Sequence, residues 1–449
     1  MFKWALLLAL LMPCEVREAC CEELSPPNVL FITVDDLRPE LGCYGKSLVH
    51  SPHIDNLASS GMRFDHAYCQ QAVCNPSRSS FMTGMRPEAI GVIGNHTHFR
   101  DQRPDVVTLP QHFRQHGYHA AAVGKIYHGV FPDGSSRTKW DTMGDAESWS
   151  EPAIRFGPRY YYTEEGVASA KQAFQRTYGV RDPESDDWTD KLVFGLATES
   201  PDVSDNTLYD GKVADVAIHK LKEFQNQTKP FFLAVGFIKP HSPYIAPKKY
   251  FDLYRDVSLA EEQGFPTGAP AYAGHSSGEL RRYSDQPTQG PIPPLNQQRV
   301  RHAYYACVSY IDAQIGRVLE TLEAADLSND TIVVLVGDHG YHLGEHGLWG
   351  KTTNFELDTR VPLIIRAPGV TTKGSSSKAM VELVDLFPTL AELAGLPLPD
   401  QLASEGFVAA LRDPNQPTKD FALSQYPRGG GRMGYSMRNA THRLTQWVA

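Results

Sequence analysis

The chain has 449 residues, 41% hydrophobic and 21% charged, which is the composition of a folded globular protein. That length suffices for one large α/β domain plus a smaller one. Its formal net charge of −9 argues against general nucleic-acid or anionic-membrane binding, so an anionic ligand needs a local cationic cluster.

Met1, Phe2 and Lys3 precede an apolar run from Trp4 to Met12, the pattern of a secretory signal peptide and too short to span a bilayer. Export is therefore expected: periplasmic or secreted in a bacterium, lysosomal in an animal. Pro13 before Cys14 does not suit a lipid-anchor cleavage site, and no later segment promises stable membrane insertion. Of the seven cysteines, Cys14, Cys20 and Cys21 fall in this leader or a flexible start. Cys43, Cys69, Cys74 and Cys307 are too few and scattered for a disulfide framework, and no CxxC pair suggests zinc.

Apolar runs at Asn28 to Val34, His119 to Val123, Phe231 to Phe237, Thr331 to Gly337 and Val361 to Ile365 read as strands buried on both faces. Helical patterns alternate with them at Ile54 to Ser60, Leu109 to His116 and Gln298 to Ala325. The alternation predicts a doubly wound, mostly parallel α/β sheet flanked by helices. Asp145 to Gly166 and the Pro- and Gly-rich stretch Gly264 to Gln297 read as loops, and Met380 to Ala394 as a helix. Pro397 to Pro417 reads as a connector, and Phe421 to Trp447 as strands and tight turns of a small antiparallel sheet. The expected division is a leader over 1–25, a catalytic domain over 26–410 and a partial C-terminal subdomain over 411–449.

Polar residues follow four of the strands: Asp35 and Asp36, Lys125 and His128, Lys239 and His241, Asp338 and His339. In an open α/β sheet the ligand crevice lies beyond the carboxyl ends of the strands, so these groups should meet at one edge. Asp35, Asp36 and Asp338 offer carboxylate oxygens, which suit calcium or magnesium better than zinc. The string Cys74-Asn75-Pro76-Ser77-Arg78 places a proline where the first turn of a helix accepts one. Residue 74 would then sit at a helix N-terminus, which favours developing anions. Arg78, one turn on, could turn its guanidinium to the same spot.

The C-x-P-S-R string, with SPHIDNLASSGMRFDHAYCQQAVCNPSRSSFMTGMRP around it, resembles the signature of the type I sulfatases, formylglycine-dependent members of the alkaline-phosphatase-like superfamily. NVLFITVDDLRPELGCYG, VGKIYHG, VGFIKPHSPY and VGDHGYHLGEHGLWGK are similar to the same family, and SQYPRGGGRMGYSMRNATHRLTQWV to its iduronate 2-sulfatase branch. The resemblance implies that a formylglycine-generating enzyme oxidises Cys74 to an aldehyde. One hydroxyl of the hydrated aldehyde attacks sulfur, and loss of the proton from the other re-forms the aldehyde and expels sulfate. It further implies one Ca2+ per chain, held by Asp35, Asp36, Asp338 and His339 with residue 74 completing the site. Lys125 and Lys351 would clamp sulfate oxygens, His128 would assist hydrate deprotonation, and His241 would protonate the leaving oxygen.

Glycine-flanked His342, Glu345 and His346 read as loop order or substrate contact, not zinc ligands. Tyr341 stands where the iduronate branch commonly has tryptophan. Asn95, Asn226, Asn329 and Asn439 begin N-x-S/T sequons. The expected function is hydrolysis of a sulfate ester, a 2-O-sulfated uronic acid of a polysaccharide first. The alternatives are a phosphate or phosphonate ester hydrolase on the same fold, or a sulfated-glycan binder whose Cys74 stays a thiol.

Overall fold

The computed structural model describes residues 26–129, 144–156, 161–179, 193–255 and 264–449. The expected leader, with Cys14, Cys20 and Cys21, lies outside the described residues, as does part of the 145–166 loop. Seven strands make the main sheet: β1 (Asn28–Val34), β2 (Met62–Tyr68), β3 (His119–Gly124), β4 (Phe231–Phe237), β5 (Thr331–Gly337), β6 (Arg360–Arg366) and β7 (Ser375–Glu382). Their order is β7-β2-β6-β5-β1-β4-β3. β1 pairs in parallel with β4 and β5, β3 with β4, and β2 with β7. β6 runs antiparallel to both its neighbours, so the sheet is mixed and mostly parallel.

Among the described residues, the α-helices longer than five residues are α1 (Pro52–Ser60), α2 (Cys74–Thr83), α3 (Leu109–Gln115), α4 (Glu164–Tyr178), α5 (Tyr209–Phe224), α6 (Pro294–Ala324) and α7 (Leu386–Leu393). The two-residue period of a strand divides the core between the faces. Leu30, Ile32 and Val34 of β1 pack with α1, α4, α5 and α6. Val29 and Phe31 pack with α2, α3 and α7 on the other side. Every residue of β4 and β5 is buried, which is why these runs are apolar without alternation.

Two boundaries depart furthest from expectation. Helix α6 starts at Pro294, because Pro294 takes the first-turn position where no N–H is needed. Met380, Val381 and Glu382 finish β7 instead of opening a helix, and α7 starts only at Leu386. Glu382 is held there by two bonds from Arg86 (2.9 and 2.8 Å), and its N–H donates to Asp385.

The C-terminal strands β8 (Ala422–Pro427), β9 (Met433–Arg438) and β10 (Arg443–Val448) form the expected small antiparallel sheet. It is tied to the main domain: Gln425 N–H donates to Gln70 (2.7 Å), Ser424 to Cys69 (2.6 Å), and Arg428 to Thr352 (2.7 Å). Among the described residues, no helix is long and apolar enough to cross a membrane.

Candidate active site

The tips of β1 and β5 lie side by side, with Val34 opposite Gly337, so Asp35, Asp36, Asp338 and His339 emerge together. Helix α2 opens at Cys74 and aims its N-terminus at the same point. Cys74 Sγ lies 3.3 Å from Asp35 Oδ1 and 3.4 Å from His339 Nε2. One ligand atom from each of Asp35, Asp36, Cys74 and His339 falls within 4.8 Å of all the others. Asp338 stands one contact behind them. Its Oδ1 accepts from the N–H groups of Asp36 (3.0 Å) and His339 (2.9 Å) and lies 3.7 Å from His339 Nε2.

Asp36 adopts a left-handed backbone (φ 61°), a conformation that costs energy for a residue with a Cβ. Its surroundings fix it. The Tyr304 hydroxyl donates to the Asp36 carbonyl (2.7 Å) and accepts from the Arg38 N–H (3.1 Å), while Asp338 holds the Asp36 N–H. Tyr304→Phe removes this clamp and little volume. It is expected to weaken divalent-cation binding by on the order of 10-fold in titration calorimetry, with the circular dichroism spectrum unchanged. Unaltered affinity would mean that the backbone holds Asp36 without the hydroxyl.

Cations from other segments neutralise the carboxylates. Lys125, just past β3, pairs with Asp35 Oδ2, and Lys351 bonds both oxygens of Asp36 (2.7 and 2.9 Å). Arg78 is wholly buried. Its Nε donates to Asp338 Oδ2 (2.8 Å) and its Nη1 to the carbonyls of Lys125 (2.7 Å) and Ile126 (2.9 Å). Its Nη2 lies 3.8 Å from Asp35 Oδ1 without a hydrogen-bond partner among the described residues. His128 is half-buried beside Cys74, with a buried Nδ1 that likewise has no partner among them. His241 follows β4 in a turn that Lys239 braces, donating to the carbonyls of His241 (2.8 Å) and Pro243 (2.6 Å). Lys239, one of the groups expected at this edge, is buried in that brace.

Electrostatics match the crowding. Burial and the Asp35 carboxylate push Asp338 up to about 7. Burial opposes a charge on His339, yet Asp338 and Cys74 hold its proton up to about 10. Burial also raises Asp36, against the pull of Lys351. Asp35 ends below the usual carboxylate range, because Lys125, His241 and Arg78 outweigh burial and Cys74. Buried carboxylates so close together call for positive charge, and their hard oxygens fit a calcium-like cation. The imidazole of His339 and the sulfur of Cys74 are the softer donors in the set.

Sequence reasoning missed Glu279. It emerges from the 264–297 stretch to lie 3.4 Å from both His241 Nε2 and Lys351 Nζ. The histidine-rich loop after β5 has ordering contacts. His342 Nδ1 pairs with Asp358, which also accepts from Thr353 beside Lys351, and Glu345 pairs with Arg38 (2.7 Å).

A family model described as Sulfatase matches residues 27–396. The chain is similar to iduronate 2-sulfatase of Homo sapiens, with 36% identity over 94% of this chain and 85% of that protein. Among solved structures it is similar to a protein in complex with "its substrate D-Glucosamine-2-N, 6-O-disulfate" (TM-score 0.71, 22% identity, 94% of this chain and 90% of that one). It is also similar to a phosphonate monoester hydrolase from Silicibacter pomeroyi (TM-score 0.69, 22% identity, 94% and 88%). At those identities the two structures speak for the fold alone.

Proposed function

The chain belongs to the sulfatase family, hydrolases of sulfate esters, and from that premise we propose that it removes a 2-O-sulfate from iduronate or a related uronic acid of a sulfated polysaccharide. The observation that carries the chemistry is the gathering of Asp35, Asp36, Cys74 and His339 within 4.8 Å. The uronate assignment rests on the 36% identity to iduronate 2-sulfatase.

In this reading Cys74 is matured to formylglycine by a formylglycine-generating enzyme, which gives the site a hydrated aldehyde as nucleophile. Asp35, Asp36, Asp338 and His339 would hold one Ca2+, which when bound supplies charge that acidifies the nucleophile and neutralises sulfate oxygens. The chain's own groups do the rest. Lys125 and Lys351 bind sulfate oxygens beside the carboxylates they already pair with. The unpartnered Nη2 of Arg78 adds a third donor. His128, against residue 74, takes the proton that leaves the hydrate, and His241 gives one to the departing sugar oxygen. Export belongs to the proposal too, on the pattern of residues 1–25 alone.

The test uses protein matured in its native host and a panel of defined sulfated oligosaccharides. Release of the 2-O-sulfate from a terminal uronic acid is expected. Activity should be lost on chelation and regained with Ca2+. Faster cleavage of an aryl phosphate or phosphonate than of an aryl sulfate would point instead to the other ester class. An unmodified Cys74 thiol in the mass of its peptide would leave only a glycan-binding role.

A further inference from the structure

We infer that Glu279 is a positioning residue for leaving-group protonation: its carboxylate holds the His241 ring in place through Nε2, whose hydrogen it shares with the departing oxygen. The inference rests on the sulfate-ester reading above and goes beyond it.

Two contacts fix the ring. His241 Nδ1 lies 2.6 Å from the Ser242 carbonyl, which can only accept, so Nδ1 carries a hydrogen and donates. Nε2 lies 3.4 Å from Glu279 Oε1, and a carboxylate there also accepts only, so the contact favours a hydrogen on Nε2 as well. With Nδ1 anchored to backbone and Nε2 facing a carboxylate, the ring can neither flip nor swing away without losing both contacts.

Glu279 is itself held in place. Its Oε2 faces Lys351 Nζ (3.4 Å), the amine that also bonds Asp36. The Ser242 hydroxyl donates to Oε1 (3.4 Å). Next to it in the chain, Leu280 is buried in the core and anchors the short turn that presents the carboxylate. Ligand atoms of Asp36, His241 and Glu279 lie within 4.8 Å of one another, so Glu279 sits beside both His241 and the carboxylate cluster. Its side chain keeps 30% of its exposure, which places it at the open mouth, where a sugar would depart.

The consequence is a dependence on the leaving group. A 4-nitrophenolate leaves without a proton, whereas a sugar alkoxide needs one in the transition state. Losing Glu279 should therefore slow cleavage of an alkyl sulfate far more than that of an aryl sulfate. The experiment measures kcat and KM of the full, matured chain and its Glu279→Ala and Glu279→Gln variants. The substrates are 4-nitrophenyl sulfate and the 2-O-sulfated methyl glycoside of iduronic acid.

For Glu279→Ala, kcat on the glycoside should fall on the order of 100-fold, and kcat on the aryl sulfate by a much smaller factor, the part that Lys351 owes to its contact with Glu279. Glu279→Gln keeps an acceptor for Nε2 and should recover part of the lost kcat on the glycoside alone. Equal losses on both substrates would overturn the inference in favour of a general structural role. So would no loss on either, or a gain in kcat/KM, which would make Glu279 an obstruction of the anion site. Wild-type protein that cleaves neither substrate would overturn the sulfatase reading and this inference with it.

Discussion

Cys74→Ser is expected to abolish sustained sulfate release while leaving the fold in place. Serine keeps the size and hydrogen-bonding reach of the residue it replaces, and residue 74 is buried between Asp35 and His339, at 3.3 and 3.4 Å from Sγ. A serine hydroxyl there still meets Lys125 and Lys351, the proposed sulfate clamp. What it lacks is the second hydroxyl on the same carbon, so the sulfated serine cannot collapse to an aldehyde and expel sulfate. The leaving alcohol should appear as a burst of about one equivalent per chain, followed by a turnover rate lower by orders of magnitude. Quenched-flow release of 4-nitrophenol, with the mass of the residue 74 peptide read after the burst, checks both halves. Steady turnover at the wild-type rate would show that attack and release do not need a formylglycine.

The parts of this site that were readable in the sequence are those where chemistry and local structure coincide. Asp35-Asp36 and Asp338-His339 follow unbroken apolar runs, and a run buried on both faces announces a central strand whose tip faces the ligand crevice. Pro76 marked Cys74 as the start of a helix, and the resemblance of the C-x-P-S-R string to the sulfatase signature marked its role. Glu279 had no such marker. It lies in a Pro-, Gly- and Ser-rich stretch without periodicity, and it reaches His241 only because buried Leu280 and Tyr283 fold that stretch against the core. Tyr304 was hidden for the opposite reason. Its helical spacing is fully explained by packing in α6, and nothing local separates a core tyrosine from one whose hydroxyl clamps Asp36. Strands β2 and β7 escaped notice because Arg63, Asp65, Lys378 and a run of serines interrupt their apolar pattern. The antiparallel course of β6 is set by its neighbours β2 and β5, whose positions are tertiary facts.

Arg78→Ala is expected to cost both stability and activity, and the stability loss should be the larger surprise in a residue four positions from Cys74. The guanidinium joins four segments that are remote in sequence. It leaves α2, meets the Asp338 carboxylate after β5, bonds the carbonyls of Lys125 and Ile126 after β3, and lies 3.4 Å from the Thr33 hydroxyl on β1. None of these groups has access to water. Alanine leaves the two carbonyls without this donor and Asp338 without its cation, in a place where Asp35 already crowds it. Removing one partner of a fully buried ion pair costs about 3–5 kcal/mol, because the remaining charge is left uncompensated. Urea midpoints of wild type and variant, taken with matched slopes, measure this directly. Arg78→Lys restores the charge but not the planar fork, so it should recover part of the stability and little of the activity. If Arg78→Ala unfolded at the wild-type midpoint, the tips of β1 and β5 would have to be held by their backbone pairing alone. The carboxylate cluster would then owe nothing to the helix that begins at Cys74.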